Sequence, residues 1–563
     1  MFEKKREVSK VALNILQKRY FHQGEKAWGD VVNRVIDWVI PEAPEKRKEE
    51  TRQMMLNGYF IPNSPCLVNS GKPEGGLSAC FVVDFPDTIE GIYKTKLDFA
   101  LIARKGGGCG TSLSKIRPEG SSVAGSTHGY AGGPLKFADT ISHDANALTQ
   151  AGFRSMAIMF TQSVYHPDIL KFINAKAEEG KIANANISVT VDNAFMNAVV
   201  ADGKYWTRFG GKKYEEYRAR DIFDMIIEGM WKNGEPGMLF YDTINESPYK
   251  YAGEELIATN PCSEQPLSEN GSCNLGSIDL SKFLDKNNEF DWELFNKAIR
   301  NSMRFLDAVV DKGQFPTPDI TKWAQEHRAV GLGIMGYADL LLMKEIAYGS
   351  PEALQLLDEV LYFLDTASTD ESEIMGRELG VPEKCKLLPF PRRNITTDTI
   401  APTGTISLIA GCSSGIEPIF SEITVRNDKT GTYTFENDLA GKPYFRCAVS
   451  SNGSTEVTWE EHVETLATSQ KHIQSGVSKT VNFPNNTKRE SIANAVIMAW
   501  QKRCKGIAVY RNGSRKVEVL TPRNIQKDKC PACGRDMVEI NGAKRCIFCT
   551  KDTIIEKTTT YYD

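Results

Sequence analysis

Two neighbouring stretches hold a dense set of residue types able to do chemistry. They are Asn260-Pro261-Cys262-Ser263-Glu264-Gln265-Pro266-Leu267 and, just after, Gly271-Ser272-Cys273-Asn274-Leu275-Gly276-Ser277. If the first is extended, Asn260, Cys262 and Glu264 point to the same side, about 6–7 Å between successive positions. An amide, a thiol and a carboxylate then face one substrate. A carboxylate beside a thiol raises the thiol pKa, which works against thiolate chemistry. The arrangement suits a thiol that reacts as a neutral S–H, for instance by hydrogen-atom transfer. On residue chemistry alone the alternative, a proline-bounded loop with a structural cysteine, stays open.

Cysteine usage extends the pattern. The chain has 13 cysteines, an odd number with uneven spacing, and in a large cytosolic chain these are more often metal ligands or catalytic thiols than a disulfide framework. Cys80, in LSACFV, reads locally as a small apolar residue of a strand. Near the C-terminus, Cys530, Cys533, Cys546 and Cys549 form two CxxC pairs twelve residues apart, the spacing of a zinc ribbon. Elsewhere Pro402-Thr403-Gly404-Thr405-Ile406-Ser407 gathers hydroxyls and backbone N–H groups that can nest phosphate, although it is not a P-loop. The run Gly106-Gly107-Gly108 fits a place where backbone approaches a ligand closely.

These residues need a scaffold, and the patterning describes an α/β one. With 41% hydrophobic and 25% charged residues over 563 positions, the chain reads as a soluble globular protein with a substantial core. Its net charge of -4 makes no electrostatic case for a nucleic-acid or membrane partner. The N-terminus lacks the pattern of a signal peptide, and no apolar stretch approaches the roughly 20 residues that span a bilayer. A cytoplasmic location is expected. Residues 1–58 read as a helical segment, with Val11, Ile15 and Leu16 on one face and Val31, Val35 and Trp38 on another. Short runs such as Ala79–Phe85 and Asn186–Val191 read as strands between helical stretches. One long helix is capped by Ser350, starts at Pro351 and ends before Gly380, with Leu354, Leu357, Leu361 and Leu364 as its core stripe. After the main body, 59–520, we expect a linker at 521–529, a cysteine module at 530–549 and a mobile polar tail at 550–563.

NPCSEQPL followed by SCNLGSIDL resembles the active-site finger of ribonucleotide reductases. The resemblance continues through IPNSPCLVNSG, LSACFV, DTIEGIYKTKLDFALIARKGGGCG, IRPEGSSVAG, RAVGLGIMGYADLL, APTGTISLIAGCSSGIEPIF and KGIAVYRNGSR, in the family's order over roughly residues 60–515. It implies a ten-stranded α/β barrel with the finger loop carrying Cys262 through its centre. By the same resemblance Cys262 would hold a thiyl radical and abstract the ribose 3′ hydrogen. Glu264 would take the 3′-OH proton as general base, and Asn260 would hydrogen-bond the ribose. Cys80 and Cys273 would reduce the 2′ position and end as a disulfide. Ser64, Ala79, Gly108 and Ser263 match substrate contacts, and Pro402, Thr403, Gly404, Thr405 and Ile406 match the phosphate loop. Asp87, Thr88, Ile89 and Arg117 match the site of a nucleoside triphosphate that selects the substrate base, with Arg154 on the loop AGFRSM that relays its identity. Seven positions after Arg117, where a second basic residue is common, the chain has Ala124.

The resemblance is to the adenosylcobalamin-dependent class II. Class I chains receive their radical from a metal-containing partner subunit through two adjacent tyrosines near the end of the barrel. Here Val509-Tyr510 occupies that place, and the Tyr561-Tyr562 pair lies in the tail. The glycyl-radical motif of class III is absent, and the Asp-x-His-x-x-Gly cobalamin motif is not one that class II reductases use. The short segment before residue 60 implies that the family's N-terminal cone, and general control by ATP and dATP, are missing. The remaining expectations are a ribonucleotide substrate, as diphosphate or triphosphate; a homodimer; and either a thioredoxin-like or a small dithiol reductant. We expect zinc on the four C-terminal cysteines, the alternative being that they shuttle electrons. A class I-like chain is the main alternative. A zinc-ribbon nucleotide-binding protein is a remote one, since residues 521–563 carry eight Lys/Arg against six Asp/Glu and lack interleaved aromatics.

Overall fold

The computed structural model describes residues 2–3, 8–123, 128–150, 154–177, 182–428, 431–450, 453–515, 520–522, 538–540, 543–545 and 554–558. Its centre is a ten-stranded sheet of β1 (Phe60–Pro62), β2 (Cys80–Val82), β3 (Gly108–Ser112), β4 (Ile158–Ser163), β5 (Ala185–Val191), β6 (Gly237–Phe240), β7 (Gly271–Asp279), β8 (Val330–Met335), β9 (Thr480–Phe483) and β10 (Gly506–Arg511). The spatial order is β1-β7-β2-β3-β4-β5-β6-β10-β9, with β8 also on β7. Strands β2 to β6 run parallel, as do β7 with β8 and β9 with β10. The two groups meet antiparallel at β7/β2 and β6/β10. Parallel bridges from Leu332 to Asp398 and from Ile400 to Val477 carry the pairing from β8 toward β9.

Alternation along β2 divides the cores. Phe81 faces an outer core with Phe99, Ile102 and Phe160. Cys80 and Val82 face an inner cluster with Ala258, Leu267 and Cys273. The strand is shorter than the expected Ala79–Phe85 and holds only Cys80–Val82, with Ala79 and Val83 each still bonded to a neighbouring strand. The N-terminal helices α1 (Lys10–Arg19), α2 (Trp28–Val39) and α3 (Glu45–Leu56) share one apolar core with β1, β8 and the long helices α5 (Trp292–Lys312) and α6 (Pro351–Leu379), whereas α4 (Ile89–Arg104) packs on the other side. Helix α6 follows its cap reading. Ser350 accepts a hydrogen bond from the Ala353 N–H, and Leu357, Leu361 and Leu364 are buried with Leu354 partly so.

The expected linker and tail are corrected in part. Leu520–Pro522 pairs with Ile423–Asp428, and Ile554–Thr558 pairs with Gly431–Asn437. Overall polarity pointed to unstructured chain, but Ile554, Ile555 and Thr558 are β-branched and favour an extended partner strand. Cys530, Cys533, Cys546, Cys549, Ala124 and Tyr561-Tyr562 lie outside the described residues. Among the described residues, no helix is long and apolar enough to cross a membrane.

Through the middle runs a hairpin in which Ala258–Thr259 pairs with Pro266–Leu267. A Cβ added at Gly110 would sit 1.8 Å from the Thr259 carbonyl oxygen, and one at Gly476 would sit 2.6 Å from that of Ser263. Side chains are excluded there because the hairpin fills the space. Gly110→Ala is therefore expected to destabilise the protein by about 2–3 kcal/mol through overpacking. Gly441→Ala, where an added Cβ meets nothing within 4 Å, should leave the thermal unfolding midpoint unchanged.

Candidate active site

The hairpin tip is a tight turn rather than the extended segment its residue order had implied. Ser263 N–H donates to the Asn260 carbonyl at 3.0 Å and Asn260 N–H to that of Gln265 at 3.1 Å. Ser263 takes φ of 67°, a left-handed conformation that a non-glycine residue adopts at a cost of about 1 kcal/mol. The turn sends Cys262 outward, exposed, and leaves Asn260 and Glu264 buried. The turn thus replaces the period-two alignment of an extended segment.

The buried two converge on a different cysteine. Asn260 Nδ2 donates to Cys80 Sγ at 3.1 Å, and that thiol donates to Glu264 Oε1 at 3.7 Å. Cys273 lies directly across the antiparallel pair from Cys80, and both thiols are free and buried. Cross-strand partners have Cβ atoms about 5 Å apart, so a disulfide between them requires only a small adjustment. Burial, then the Glu264 carboxylate, pushes the Cys80 and Cys273 thiols well above the usual range. Burial raises the Glu264 carboxyl to about 7, against the Asn260 hydrogen bond that lowers it. Glu264 Oε2 has no hydrogen-bond partner. The site thus holds two neutral thiols and a carboxyl poised near neutral pH.

Several residues that hold the tip gave no sequence signal. Asn186 Nδ2 donates to the Pro261 carbonyl at 2.8 Å. Thr399 Oγ1 donates to the Glu264 carbonyl at 2.8 Å, as does Gly476 N–H at 2.8 Å. Gly108, expected to approach a ligand, lies against the finger: its Cβ position is 3.0 Å from Pro261 Cγ.

Above Cys262 opens a cavity of about 1670 Å³. Cys262, Ser263, Pro402, Ser407, Ala508 and Tyr510 are part of its lining. Thr403 turns its hydroxyl inward to accept from the Gly415 N–H at 2.8 Å, and the Gly404 carbonyl accepts from Arg426 at 3.1 Å. Thr405 immediately precedes the short helix Ile406–Ala410 without a side-chain capping hydrogen bond. Ser64 lies beside the Tyr20 hydroxyl, 2.7 Å away, and Ala79 accepts the Gly108 N–H through its carbonyl; neither lines the cavity. The expected effector residues are grouped elsewhere. Arg117 Nε donates to Asp87 Oδ2 at 2.7 Å, and Thr88 caps α4, which begins at Ile89. Arg154 lies in the short strand Arg154–Ser155, and residues 151–153 lie outside the described residues.

The family model for the ribonucleotide reductase barrel domain matches residues 78–387, 386–442 and 436–510. The chain belongs to the ribonucleotide reductase family. Among its relatives, a vitamin B12-dependent ribonucleoside-diphosphate reductase of Thermoplasma acidophilum is 39% identical over 85% of this chain and 66% of its own length. One of Mycobacterium tuberculosis (strain H37Rv) is 34% identical over 91% of this chain and 79% of its own. The chain thus spans just under two thirds of the Thermoplasma relative. A class Id ribonucleotide reductase alpha subunit of Actinobacillus ureae shares the fold, with a TM-score of 0.75 over 90% of this chain and 97% of that chain at 22% identity.

The Glu264 carboxyl gives this reductase-family site a measurable signature. A carboxyl raised in the fold favours the native state while protonated. That stabilisation is complete below about pH 4.5 and is lost as pH climbs to about 7. Glu264→Gln should therefore match wild type near pH 4.5 and exceed it by about 2–3 kcal/mol at pH 8, read by denaturant unfolding at both pH values. An equal difference at both would place the carboxyl in a solvated site.

Proposed function

We propose that the chain reduces ribonucleotides to 2′-deoxyribonucleotides by a cysteine radical mechanism that depends on adenosylcobalamin. The observation that carries this reading is the buried chain Asn260–Cys80–Glu264, with Cys273 across the strand, behind a Cys262 thiol that faces a large cavity. Both relatives named above are B12-dependent diphosphate reductases, and a ribonucleoside diphosphate is the substrate we infer. The sheet and its bridges are read as the family's ten-stranded barrel around the finger.

The cavity fits the cofactor by size and lining. At about 1670 Å³ it has room for a large planar group and a nucleotide, and Leu239 and Ala508 add apolar surface to a lining that also includes Cys262. When bound there, adenosylcobalamin supplies the initiating radical. Cys262 carries that radical as a thiyl, takes the 3′ hydrogen atom of the ribose and returns it to C3′ once the 2′ position is reduced. Glu264 holds the 3′-OH proton, and Asn260 orients the ribose. The 2′-OH leaves as water while Cys80 and Cys273 give up two hydrogens and join as a disulfide. Pro402 to Ile406 cradle the phosphates and Ser263 borders the cavity, with Ser64, Ala79 and Gly108, outside that lining, assigned as further substrate contacts by the family resemblance alone. A thioredoxin-like or small dithiol reductant restores the thiols.

The specificity effector binds at Asp87, Thr88, Ile89, Arg117 and Arg154 and sits at a homodimer interface in this reading. Ile89, Tyr93 and Leu97, four residues apart on α4, are 61%, 62% and 57% exposed, an apolar stripe of the kind that a second copy covers. The protein acts in the cytoplasm. Zinc on Cys530, Cys533, Cys546 and Cys549 belongs to the same proposal, and it rests on their spacing and thiolate chemistry. Among the described residues no group of three or more His, Cys, Asp or Glu is placed to hold a metal.

Cys262→Ser should abolish turnover of a ribonucleoside diphosphate with adenosylcobalamin while leaving the circular dichroism spectrum unchanged, because an alcohol O–H is too strong to shuttle hydrogen atoms. Deoxynucleotide from that variant, or wild-type turnover without cobalamin, would overturn the reading. For the tail, the double variant Cys546→Ser, Cys549→Ser should lose zinc and keep most small-dithiol turnover. Zinc-free wild type, together with a variant arrested after one turnover with thioredoxin alone, would make the four cysteines the shuttle instead.

A further inference from the structure

The finger tip is pressed against a turn that cannot hold it with a side chain. Gly476 donates its N–H to the Glu264 carbonyl at 2.8 Å. A Cβ at Gly476 would lie 2.6 and 3.0 Å from the carbonyl oxygens of Ser263 and Glu264. The approach is backbone against backbone, so the turn itself must be fixed from behind. Two carbonyls just before Gly476, those of Gln474 and Ser475, converge on one group: the ammonium of Lys505, which donates to both, at 2.7 Å in the case of Ser475. Lys505 is 9% exposed and immediately precedes β10, the strand that forms part of the cavity wall beside Cys262.

We propose that Lys505 is a positioning residue that clamps the finger, holding turn 474–476 against the Glu264 backbone and thereby tying the cavity-wall strand to the catalytic carboxyl. A buried lysine is an expensive way to satisfy two carbonyls, since desolvation disfavours its charge. Burial draws this ammonium down to about 8, with Asp398 and Glu246 opposing. The charges around it are few. Asp398 accepts from the Gln474 N–H at 2.7 Å and is itself pushed well up by burial and by Asp365. Arg392 is engaged with the Gln474 side chain at 2.8 Å. No other ammonium is bonded to turn 474–476 among the described residues.

The role of Glu264 as base rests on the function proposed above, but the clamp is a physical claim that can be read without turnover. Hydrogen–deuterium exchange of cofactor-free protein would compare wild type, Lys505→Met and Lys505→Arg. Lys505→Met should speed exchange in peptides covering 258–267 and 474–478 by about 10-fold while peptides from α5 and α6 are unchanged, and Lys505→Arg should restore much of the protection. In the holoenzyme, Lys505→Met should lower kcat by about 10- to 100-fold with little change in KM. The acid limb of its pH profile should also move down from about 7, as water reaches the Glu264 carboxyl. Wild-type exchange in both peptides would overturn the clamp. So would a kcat loss with the acid limb unmoved, which would place Lys505 in another role. If wild type itself shows no turnover, the reductase reading fails while the exchange comparison still decides the clamp.

Discussion

Everything in the site depends on a strip of backbone threaded through a space with no slack. The hairpin 258–267 passes so close to β3 and to the turn before β9 that Gly110 and Gly476 admit no Cβ. Its tip is then held by Asn186, Thr399 and Gly476 through main-chain groups of the finger. The Asn260 side chain adds to this anchoring, its Oδ1 accepting from the Gln265 N–H at 2.9 Å. The anchoring also fixes which way Asn260, Cys262 and Glu264 point, because a turn with a left-handed residue at Ser263 has little freedom once both its ends are paired. Placement on the angstrom scale matters in such a site, since a small misplacement of reacting groups costs orders of magnitude in rate.

Burial then decides what kind of chemistry the held groups can do. In a low-dielectric interior an unpaired charge is costly, and here the cost is felt by three groups at once. Cys80 and Cys273 stay as neutral thiols, and Glu264 is raised to about 7. Thiolate nucleophiles sit in electropositive, partly exposed surroundings, and these surroundings are neither. Neutral S–H groups are donors of hydrogen atoms, and a carboxyl near neutral pH both takes and returns a proton without a large energetic penalty. The environment therefore separates radical chemistry from ionic thiol chemistry more firmly than residue types alone.

The parts of the molecule legible in sequence were those whose cause is local. The cap at Ser350 and the leucine stripe of α6 follow from propensity and periodicity, and the strand at Asn186–Val191 from its alternation. The identity of the thiol partners was not local. Glu264 and Cys80 are 184 positions apart, and no spacing rule links them; family resemblance alone connected them. That resemblance named Asn260, Glu264, Cys80 and Cys273, which the fold places in one buried cluster, yet residue order misled on geometry, because period-two reasoning assumes a strand and the tip is a turn. Lys505 had no signal at all, being one of 68 lysines and arginines until the fold brings two carbonyls to it. Of the glycine run, Gly108 lies against Pro261 of the finger and Gly107 against Phe81, neighbours that no local spacing could name.

The fold does not by itself say where the radical originates, since it is shared at 22% identity with a class Id alpha subunit. The discriminating feature has to lie in the wall that faces Cys262. A radical arriving from another subunit needs oxidisable side chains in sequence through that wall, and β10 supplies Tyr510 next to Val509, an aliphatic residue that cannot serve as a relay. Ala508, exposed on the same face of β10 as Tyr510, is likewise inert, and both line the cavity that Cys262 borders. A single tyrosine without an oxidisable neighbour on β10 supports the proposed radical source in the cavity over a relay along that strand.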